Sequence, residues 1–406
     1  MSKLINKKQE IKKRIELINK GEVPKGYKKS STKVFPKDWN EEKLENLCIK
    51  RTKTVRNRVL ETLSISAGIG FVNQAQKFGR ELSGKQYEHY IIINKGDFAY
   101  NKGNSKKYPQ GCVYLLEDRE VAAVPNVFNT FKLKTNCING YYKQLFQIGY
   151  LNQQLHKYIN FGVRNDGLLN LYDSDFYSVL LPCPKLKEQE KIAEILCCCD
   201  KVIELKEKLL NEENNEKKYL MQILLKESSY SNSCKLGDLC DITTGKLDAN
   251  AQVVNGKYRF YTCAAEYCYI DEYAFDTEAL LISGNGANVG YIHYYKGKFN
   301  AYQRTYVLDN FKCNIHYIKY RLDYLLNQII SREKNAGNTP YIVLPTLQNI
   351  NIYLPKNISK QTKIVNILSG KDKEIELLKQ ELEQYKQLKK SLSQLLLTGI
   401  VRVNEV

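Results

Sequence analysis

The chain has little of what membrane insertion, secretion or metal binding requires. Its 406 residues contain no run of 18 or more apolar residues and no apolar signal segment at Met1–Lys8, so we expect neither a transmembrane helix nor a signal peptide. Four histidines are scattered, and the twelve cysteines form no C-x-x-C pair. We therefore expect a cytoplasmic protein that binds neither a metal ion nor a membrane. Its cysteines should stay reduced and lie buried as small apolar residues.

Sequence signatures of catalysis are missing as well. There is no G-x-x-x-x-G-K-[ST] loop, Gly284–Gly290 has the wrong spacing for a dinucleotide fingerprint, and the Pro-Pro motif characteristic of amino-methyltransferases is absent. One group of residues has the types found in nuclease metal sites, namely Asp38, Glu41 and Lys43. All three fall within six residues, which is too close for such a site, so we interpret Asp38 as the cap of a helix over Glu41–Leu47. The sequence predicts a non-catalytic chain that holds no cofactor, with a nuclease as the less favoured alternative.

What the chain has in excess is positive charge. It carries 62 Lys and Arg against 44 Asp and Glu, a formal net charge of +18. Residues 1–58 alone hold 18 basic and 7 acidic side chains, and we interpret 1–33 as a basic N-terminal arm or helix. Basic side chains that neutralise phosphates release condensed counterions, so this excess favours a polyanionic partner. A solvated, partly disordered arm is the alternative interpretation of the first residues.

An internal repeat organises the chain. Gln189–Leu196 resembles Gln361–Leu368 at an offset of 172 residues, and 17 of the 37 positions from 189 to 225 are identical in the second copy. Both copies space apolar residues in steps of three and four, which is typical of a long helix with a coiled-coil seam. Gly399 is the expected stop of the second helix. The predicted seam residues are Ile192, Leu196, Ile203, Leu210, Leu220, Leu224, Ile364, Leu368, Ile375, Leu382, Leu392 and Leu396.

Between the helices the pattern changes to short apolar runs punctuated by Asn, Gly, Lys and Asp, which is typical of strands. A second, shorter repeat relates Lys43–Cys48 to Lys235–Cys240. We predict an α+β fold with two globular α/β-mixed domains, separated by two long antiparallel helices that form a coiled coil, in a pseudo-two-fold internal repeat. The predicted segments are the arm 1–33, a globular domain 34–185, a central long helix 186–228, a second globular domain 233–356, a C-terminal long helix 358–399 and a tail 400–406.

Polar and basic loop clusters are the candidates for nucleic-acid contact. Lys and Arg neutralise phosphates, Asn and Gln pair with adenine edges, and glycine lets a backbone approach closely. Plain solvated turns are the alternative for each cluster. The candidate DNA-binding residues are Lys102, Asn104, Ser105, Lys106, Lys107, Tyr108, Arg164, Asn165, Asn285, Gly286, Asn288, Tyr302, Gln303, Arg304, Asn338 and Thr339.

Four features of the chain form a recognisable set. They are Gly26–Lys29 followed by Pro36–Trp39, Pro184–Ile192 at the start of the first long helix, Gly286–Gly290 followed by Ala301–Gln303, and Leu395–Gly399 at the end of the second helix. Together they resemble one known family, the specificity subunits of Type I restriction–modification systems. The resemblance covers nearly the whole chain and includes the duplication of the long helix.

The resemblance implies two target-recognition domains, 34–185 and 233–356, each reading one half of an interrupted double-stranded DNA site. It implies two modification (methyltransferase) subunits as partners, docked on exposed faces of the repeated helices, with restriction subunits joining them. S-adenosylmethionine and ATP would be held by those partners and not by this chain. The helices would set the unread spacer, so four residues inserted at Asn214 should lengthen it by about two base pairs. A stand-alone DNA-binding scaffold that dimerises through the seam is the alternative.

Overall fold

The structure is a computed structural model that describes residues 2–30, 33–79, 84–103, 107–159, 169–226, 233–333 and 341–403. In these ranges no helix is long and apolar enough to span a membrane. The helices are α1 (Ser2–Asn19), α2 (Leu44–Leu47), α3 (Gln74–Phe78), α4 (Asn139–Gln147), α5 (Asn152–Leu155), α6 (Asp173–Tyr177), α7 (Leu186–Leu224), α8 (Leu236–Leu239), α9 (Ile315–Glu333), α10 (Leu344–Gln348) and α11 (Ile358–Leu397).

The strands are short except for two long neighbours in the second half of the chain. They are β1 (Tyr27–Lys29), β2 (Val34–Pro36), β3 (Asn40–Lys43), β4 (Cys48–Lys50), β5 (Leu63–Ser66), β6 (Gly70–Asn73), β7 (Ile91–Asn94), β8 (Asp97–Asn101), β9 (Cys112–Leu115), β10 (Val121–Val124), β11 (Asn129–Leu133), β12 (Leu180–Cys183), β13 (Ser233–Lys235), β14 (Asp241–Thr244), β15 (Tyr258–Tyr261), β16 (Cys268–Ile270), β17 (Phe275–Ser283), β18 (Ile292–Ala301), β19 (Thr305–Asp309) and β20 (Asn351–Tyr353).

The chain divides into two compact units. We name them unit 1 (Met1–Lys206 and Leu382–Val406) and unit 2 (Glu207–Glu381). Helices α7 and α11 each continue from one unit into the other, so each unit contains a segment of both helices. Both units mix strands with helices, which confirms the α+β class with two globular parts and two long helices.

Unit 1 is built on an antiparallel sheet of order β4-β11-β8-β9, with two-stranded pairs β1-β2, β3-β12, β5-β6 and β7-β10 beside it. Its main core packs the sheet against α4 through aromatic side chains. The Phe98 and Phe131 rings stack with their centroids 5.4 Å apart, and Phe146 of α4 meets Phe98 edge-on at 5.5 Å. Trp39 is fully buried in the same core. Such aromatic contacts stabilise the sheet beyond the area they bury.

Unit 2 is built on a six-stranded sheet of order β14-β19-β17-β18-β15-β16, with β13-β20 as a separate pair. All its neighbours are antiparallel except β15 and β18. Successive side chains of β17 point to opposite faces. Leu280 and Ile282 join the core that includes α9, whereas Ala279 and Leu281 join a smaller cluster with Phe299 on the other face. The second face therefore has only a thin apolar layer of its own.

The long helices pack antiparallel within each unit. In unit 1, Ile192 and Leu196 share a core with Leu396, and Leu392 packs against it. Further along α7, Lys206 lies over the Tyr385 ring of α11 at 5.3 Å, so residue numbers rise in one helix as they fall in the other. Because each helix contributes an apolar stripe of period 3.5, the stripes interlock.

In unit 2, the predicted seam residues Leu220, Leu224, Ile364 and Leu368 belong to one core. Of the remaining predicted seam residues, the structure buries two and half-buries two others. The buried ones are Ile375 and Leu382, and the half-buried ones are Ile203 and Leu210. Gly399 adopts φ +68° just after α11, which confirms the predicted helix stop.

The repeat extends to the hydrogen bonds that start each long helix. Buried Gln189 accepts a hydrogen bond from the Ile138 N–H (2.9 Å) and donates one to the Pro184 carbonyl (2.9 Å). Gln361 accepts from the Asn314 N–H (3.1 Å) and donates to the Pro355 carbonyl (3.0 Å). In each unit, one glutamine thus connects the start of the long helix to the end of the preceding strand (β12 or β20) and to the start of a second helix (α4 or α9). This shared role explains why both copies of the repeat contain the glutamine.

A reciprocal ion pair follows about three helical turns after the glutamine in each unit. Asp200 of α7 accepts from Lys389 of α11 at 2.5 Å in unit 1. In unit 2, Asp372 of α11 accepts from Lys217 of α7 at 2.5 Å. The repeat exchanges these residues, because Asp200 corresponds to Asp372 and Lys217 to Lys389. The same pair therefore fixes the helix register in both units.

The cysteines follow the sequence prediction only in part. Cys48, Cys137 and Cys240 are buried, and all are free thiols. Cys197 and Cys198 are exposed, so the prediction of burial is wrong for them. The reason is periodicity: Leu196 occupies the apolar stripe of α7, and the next two positions turn to its outer face.

Candidate nucleic-acid interface

Two predicted loop clusters of unit 2 come together at one end of the six-stranded sheet. The Gly284 N–H donates to the Arg304 carbonyl (2.9 Å), which joins the cluster at Asn285–Asn288 to that at Tyr302–Arg304. Asn288 Nδ2 donates to the Cys263 carbonyl (3.3 Å), and the Cys263 thiol donates to the Arg304 carbonyl (3.4 Å). Asn, Gln and Arg side chains therefore share one surface, although the sequence separates them.

The turn between β17 and β18 is held by its glycines. Gly286 and Gly290 have φ of +81° and +83°, a region that L side chains rarely adopt. A Cβ on Gly290 would lie 2.4 Å from Ile330 Cδ1 of α9, so a larger residue would displace that side chain as well as strain the backbone. The Gly290 N–H donates to the Ser283 carbonyl (2.8 Å) and closes the turn. The glycines therefore set the shape of this turn.

In the neighbouring cluster, Tyr302–Arg304, part of the hydrogen-bonding capacity is used within unit 2. Gln303 Nε2 donates to Asp248 Oδ1 (3.1 Å), while its backbone N–H donates to the Leu247 carbonyl (2.9 Å). Tyr302 is half-buried, and the Arg304 side chain is exposed. Arg304 is thus the member of this cluster that is most available to a phosphate or a base edge.

Aromatic side chains continue this surface along the sheet. His293 Nε2 lies 3.0 Å from the Ala264 carbonyl, and its ring meets Tyr261 at 5.0 Å and Tyr291 at 4.8 Å. Burial lowers the pKa of His293 below its ordinary value, so the ring is neutral near pH 7. Tyr291 is exposed beside it. The histidine therefore acts as a packing and hydrogen-bonding group here and adds no positive charge.

The predicted loop of unit 1 is described only in part. Lys102 forms an ion pair with Asp173, and its side chain is largely buried, so its charge is already used within the unit. Lys107 is exposed and lies over the Tyr108 ring at 5.8 Å. Lys107 and Tyr108 line a cleft of about 530 Å³ together with Tyr114, whose hydroxyl accepts from the Gly68 N–H at 2.7 Å. Unit 1 thus has a polar cleft with aromatic side chains in its lining.

Seven predicted contact residues lie outside the described residues. They are Asn104, Ser105, Lys106, Arg164, Asn165, Asn338 and Thr339.

A basic turn in unit 1 was not predicted from the sequence. Arg56, Asn57 and Arg58 are exposed, and Arg56 has φ 52°, uncommon for a residue with a side chain. The Arg56 N–H donates to the Glu88 carbonyl (3.2 Å) and the Arg58 N–H to the Val55 carbonyl (3.1 Å). Within the described residues, no carboxylate forms an ion pair with Arg56 or Arg58. The signal lay in the charge excess of 1–58, which we attributed to the arm.

Asp38 has a different role from the one predicted. The segment after it is strand β3 and only then the single turn α2, so Asp38 caps no helix. Its carboxylate instead accepts two hydrogen bonds from Arg402 (2.9 Å each), which hold the pKa of Asp38 below its ordinary value. Glu41 accepts from Ser30 at 3.0 Å. With Asp38 paired to an arginine, this set does not form a nuclease metal site.

Arg402 also binds Glu188, the residue before the repeated glutamine. Its guanidinium donates to both Glu188 oxygens (2.7 and 2.8 Å), and Trp39 Nε1 donates to the same carboxylate (3.0 Å). We name Asp38, Trp39, Glu188 and Arg402 the terminal clasp. It ties the segment after α11 to the first strands of unit 1. Across the described residues, no group of three or more His, Cys, Asp or Glu side chains is arranged to hold a metal ion.

Comparison with known proteins identifies the class. The family model for the Type I restriction modification DNA specificity domain matches the chain twice, at residues 36–214 and 230–387. Each match spans one globular part and a stretch of long helix. Because the two matches cover most of the chain, the chain belongs to this family.

Individual relatives agree with this assignment. The chain is 40% identical over 165 residues to the Type I restriction enzyme EcoDI specificity subunit of Escherichia coli, a match that covers 40% of this chain and 36% of that protein. The chain thus spans about a third of the length of that relative. It is 25% identical over 289 residues to the Type I restriction enzyme MjaVIII specificity subunit of Methanocaldococcus jannaschii, covering 60% of this chain and 67% of that protein.

Solved structures share the fold. The S subunit of a Type I restriction–modification system from M. genitalium superposes with a TM-score of 0.59 at 16% identity, covering 88% of this chain and 96% of that one. A chain solved in work on complex assembly and conformational transition of the type I R-M system gives 0.53 at 15% identity, covering 90% and 99%. These likenesses concern the fold alone.

Proposed function

We propose that this chain is the specificity subunit of a Type I restriction–modification enzyme, which reads an interrupted DNA site and catalyses no reaction itself. The observation that carries the proposal is the double family match, because each matched part contains its own sheet and its own copy of the repeated helix start. Two different sheets on a duplicated support suit the reading of two different half-sites.

The described surfaces support DNA as the ligand. Unit 1 presents the Arg56–Arg58 turn and Lys107 beside Tyr108, and unit 2 presents Arg304 beside Asn288. Cations and amide side chains on glycine-rich turns serve both phosphate contact and base reading. A scaffold that dimerises through its coiled-coil seam is less favoured, because the seam leucines are already buried or half-buried within this chain.

A domain exchange tests the reading function. Replacing residues 235–355 with the equivalent domain of another specificity subunit, in cells that carry the modification subunit, should change one half of the methylated motif. Single-molecule methylome sequencing reads both halves and the spacer at once. Changes in both halves, or a wild-type chain that supports no bipartite motif, would contradict the proposal.

The partners we propose are two modification subunits, joined by restriction subunits. The repeat places Leu205 of unit 1 in the same position as Leu377 of unit 2, each within an identical Ile-Glu-Leu segment. Their side chains are 65% and 62% exposed, so each unit presents an apolar side chain at the equivalent helix position. Two equivalent exposed apolar residues suit two copies of one partner. S-adenosylmethionine and ATP would belong to these partners.

Leu205→Glu and Leu377→Glu, singly and together, test this stoichiometry. Each single variant should retain one modification subunit, and the double variant none, as measured by sedimentation of the purified complex. Tyr219→Glu is the matched control, because Tyr219 is similarly exposed on α7 but corresponds to Ser391 in the repeat. Unchanged binding of two partners by the double variant would rule out these docking positions.

The spacer hypothesis can be tested where the helices leave one unit for the other. Seven residues inserted after Lys206 and seven after Glu381 keep the heptad phase of both helices. The added length is about 10 Å, near three base pairs at about 3.4 Å each. The methylated half-sites should stay the same while the spacer lengthens. An unaltered spacer with full methylation would show that the helices do not set it.

A further inference from the structure

Arg259 of unit 2 lies in a cradle of tyrosine rings at one side of the sheet. Its guanidinium carbon is 4.3 Å from the ring centroid of Tyr267 and 4.5 Å from that of Tyr295. Nη1 donates to the Tyr261 hydroxyl at 3.4 Å. We name Tyr261, Tyr267 and Tyr295 the tyrosine cradle. Strand alternation brings Tyr261 and Tyr295 to the Arg259 side of the sheet, because Tyr261 is two residues from Arg259 on β15 and Tyr295 is four residues from Phe299, the β18 partner of Arg259. Tyr267, just before β16, completes the cradle.

The cradle holds the arginine without consuming its hydrogen-bonding capacity. Arg51, Arg119 and Arg402 donate to carboxylates of their own unit. Within the described residues Arg259 has no such ion pair, and the Tyr261 hydroxyl takes one of its five N–H donors. Cation–π contacts favour the charged group over the rings. The side chain is thus held in place at a partly exposed position with several donors left for an external acceptor.

The way in which the cradle surrounds Arg259 limits how a ligand can approach. Aromatic rings already lie over the guanidinium, so stacking on a base is blocked and the N–H edge is the part that remains. An N–H edge of fixed orientation matches an acceptor pair of fixed geometry, such as O6 and N7 of guanine in the major groove. A phosphate does not require a fixed plane, because flexible lysine side chains also bind it.

The cradle is continuous with the candidate interface of unit 2. The Tyr261 carbonyl accepts from the Tyr302 N–H at 2.9 Å, and two residues further the Cys263 carbonyl accepts from Asn288. The segment that carries Arg259 therefore leads directly to the surface that carries Asn288. We propose that Arg259 is a specificity-determining residue that reads one guanine in the half-site bound by unit 2. This proposal rests on the proposed function.

The test uses the full chain with its modification subunit. Arg259→Lys keeps the charge but loses the planar fork, and Arg259→Ala removes both. Methylome sequencing of cells carrying either variant should show one G·C pair of the unit 2 half-site becoming degenerate, with the other half and the spacer unchanged. Lys257→Ala, which removes a neighbouring exposed cation, is the matched control and should leave the motif intact.

A binding cycle with purified complex isolates the contact. Replacing that guanine by 7-deazaguanine keeps base pairing but removes N7. Wild-type binding should weaken by roughly 5- to 150-fold, and Arg259→Ala should bind both duplexes equally. Tyr267→Leu, which removes one ring of the cradle, should relax the same pair less than Arg259→Lys does. Thermal unfolding of each variant shows whether it is folded. If Arg259→Ala does not fold, the motif methylated with Arg259→Lys decides whether Arg259 reads the guanine.

The outcomes separate this proposal from the one it rests on. A uniform loss of methylation with no degenerate position would make Arg259 a phosphate contact and overturn the guanine assignment alone. A unit 2 half-site without a G·C pair would overturn it too. A wild-type complex that methylates no bipartite motif would overturn the proposed function as well.

Discussion

Unit 1 and unit 2 share the contacts that attach each globular domain to the long helices, and they differ in their sheets. Each has a buried glutamine at the start of its long helix, a reciprocal Asp–Lys pair between the two helices, and a short strand that leads into one helical turn at Leu44 or Leu236. Unit 1 distributes its strands over a four-stranded sheet and several pairs, whereas unit 2 gathers six strands into one sheet. The duplicated parts are those that attach a domain to the helices, and the divergent parts are those that would meet DNA.

The contacts at the two helix starts differ at one position of the repeat. Glu188 of unit 1 is buried in the terminal clasp, while the corresponding residue in unit 2 is the exposed Lys360. The clasp binds Arg402, which follows α11 and has no counterpart after α7 among the described residues. Unit 1 thus contains an added ion-pair cluster at a position where unit 2 needs only the glutamine.

The largest expected effect is at this position. Glu188→Ala leaves Arg402 with one carboxylate fewer and the buried Trp39 Nε1 without an acceptor, so the free energy of unfolding should fall by about 3 kcal/mol. Lys360→Ala, the repeat-related control, should change it by less than about 0.5 kcal/mol. Urea unfolding of the full chain measures both. Equal losses would mean that the clasp contributes nothing specific to unit 1.

A smaller and symmetrical effect is expected at the repeated glutamines. Gln189→Ala and Gln361→Ala each remove the partner of one backbone N–H and one carbonyl, which should cost about 1–3 kcal/mol in either unit. Glu190→Ala, on the exposed neighbour of Gln189, is the control. If only one of the two glutamine variants were destabilised, the two helix starts would not be energetically equivalent.

The parts that the sequence predicts well are those that repeat. Heptad spacing, the 172-residue offset and the glycine after α11 are local patterns, and helices without internal proline follow them directly. The second helix starts Ile358-Ser-Lys-Gln361 where the first has Leu186-Lys-Glu-Gln189, yet Gln361 donates to the Pro355 carbonyl and makes the same contact. Local periodicity was therefore sufficient for the long helices and for most of their seam.

The parts that could not be predicted depend on residues far apart in the chain. Arg402 meets Asp38 across 364 residues, so the sequence-based interpretation of Asp38 as a cap had no means of including it. The tyrosine cradle depends on the parallel pairing of β15 and β18, an exception in an otherwise antiparallel sheet. Among 30 tyrosines, composition does not show which three surround an arginine. The candidate loops of unit 2 were predicted because glycine and asparagine mark turns locally.

The reciprocal ion pairs should contribute less than the glutamines. Exchanging the charges in unit 1 (Asp200→Lys with Lys389→Asp) or in unit 2 (Asp372→Lys with Lys217→Asp) should restore only the part of each loss that belongs to the ion pair. The hydrogen bonds that Asp200 accepts from Gln144 and Asp372 from Tyr320 stay lost. The coupling in each unit should be about 0.5–1 kcal/mol, since the pairs are partly exposed. Double-mutant cycles by urea unfolding give this value. Coupling in one unit only would show that the shared geometry is not matched by shared energetics.

The basic turn of unit 1 should have the smallest effect on stability and a distinct effect on DNA binding. Arg56→Asn tolerates the left-handed backbone, and Arg58→Gln keeps a polar chain, so unfolding should be nearly unchanged. If both arginines contact phosphates, the slope of log K against log salt should become shallower by about 1.8, at about 0.9 for each phosphate. The loss should be uniform across sequences, in contrast to the single relaxed position expected for Arg259→Ala. Binding isotherms on cognate and scrambled duplexes from 50 to 200 mM salt separate the two cases. A change in the methylated motif with an unaltered salt slope would instead make this turn a reader of bases.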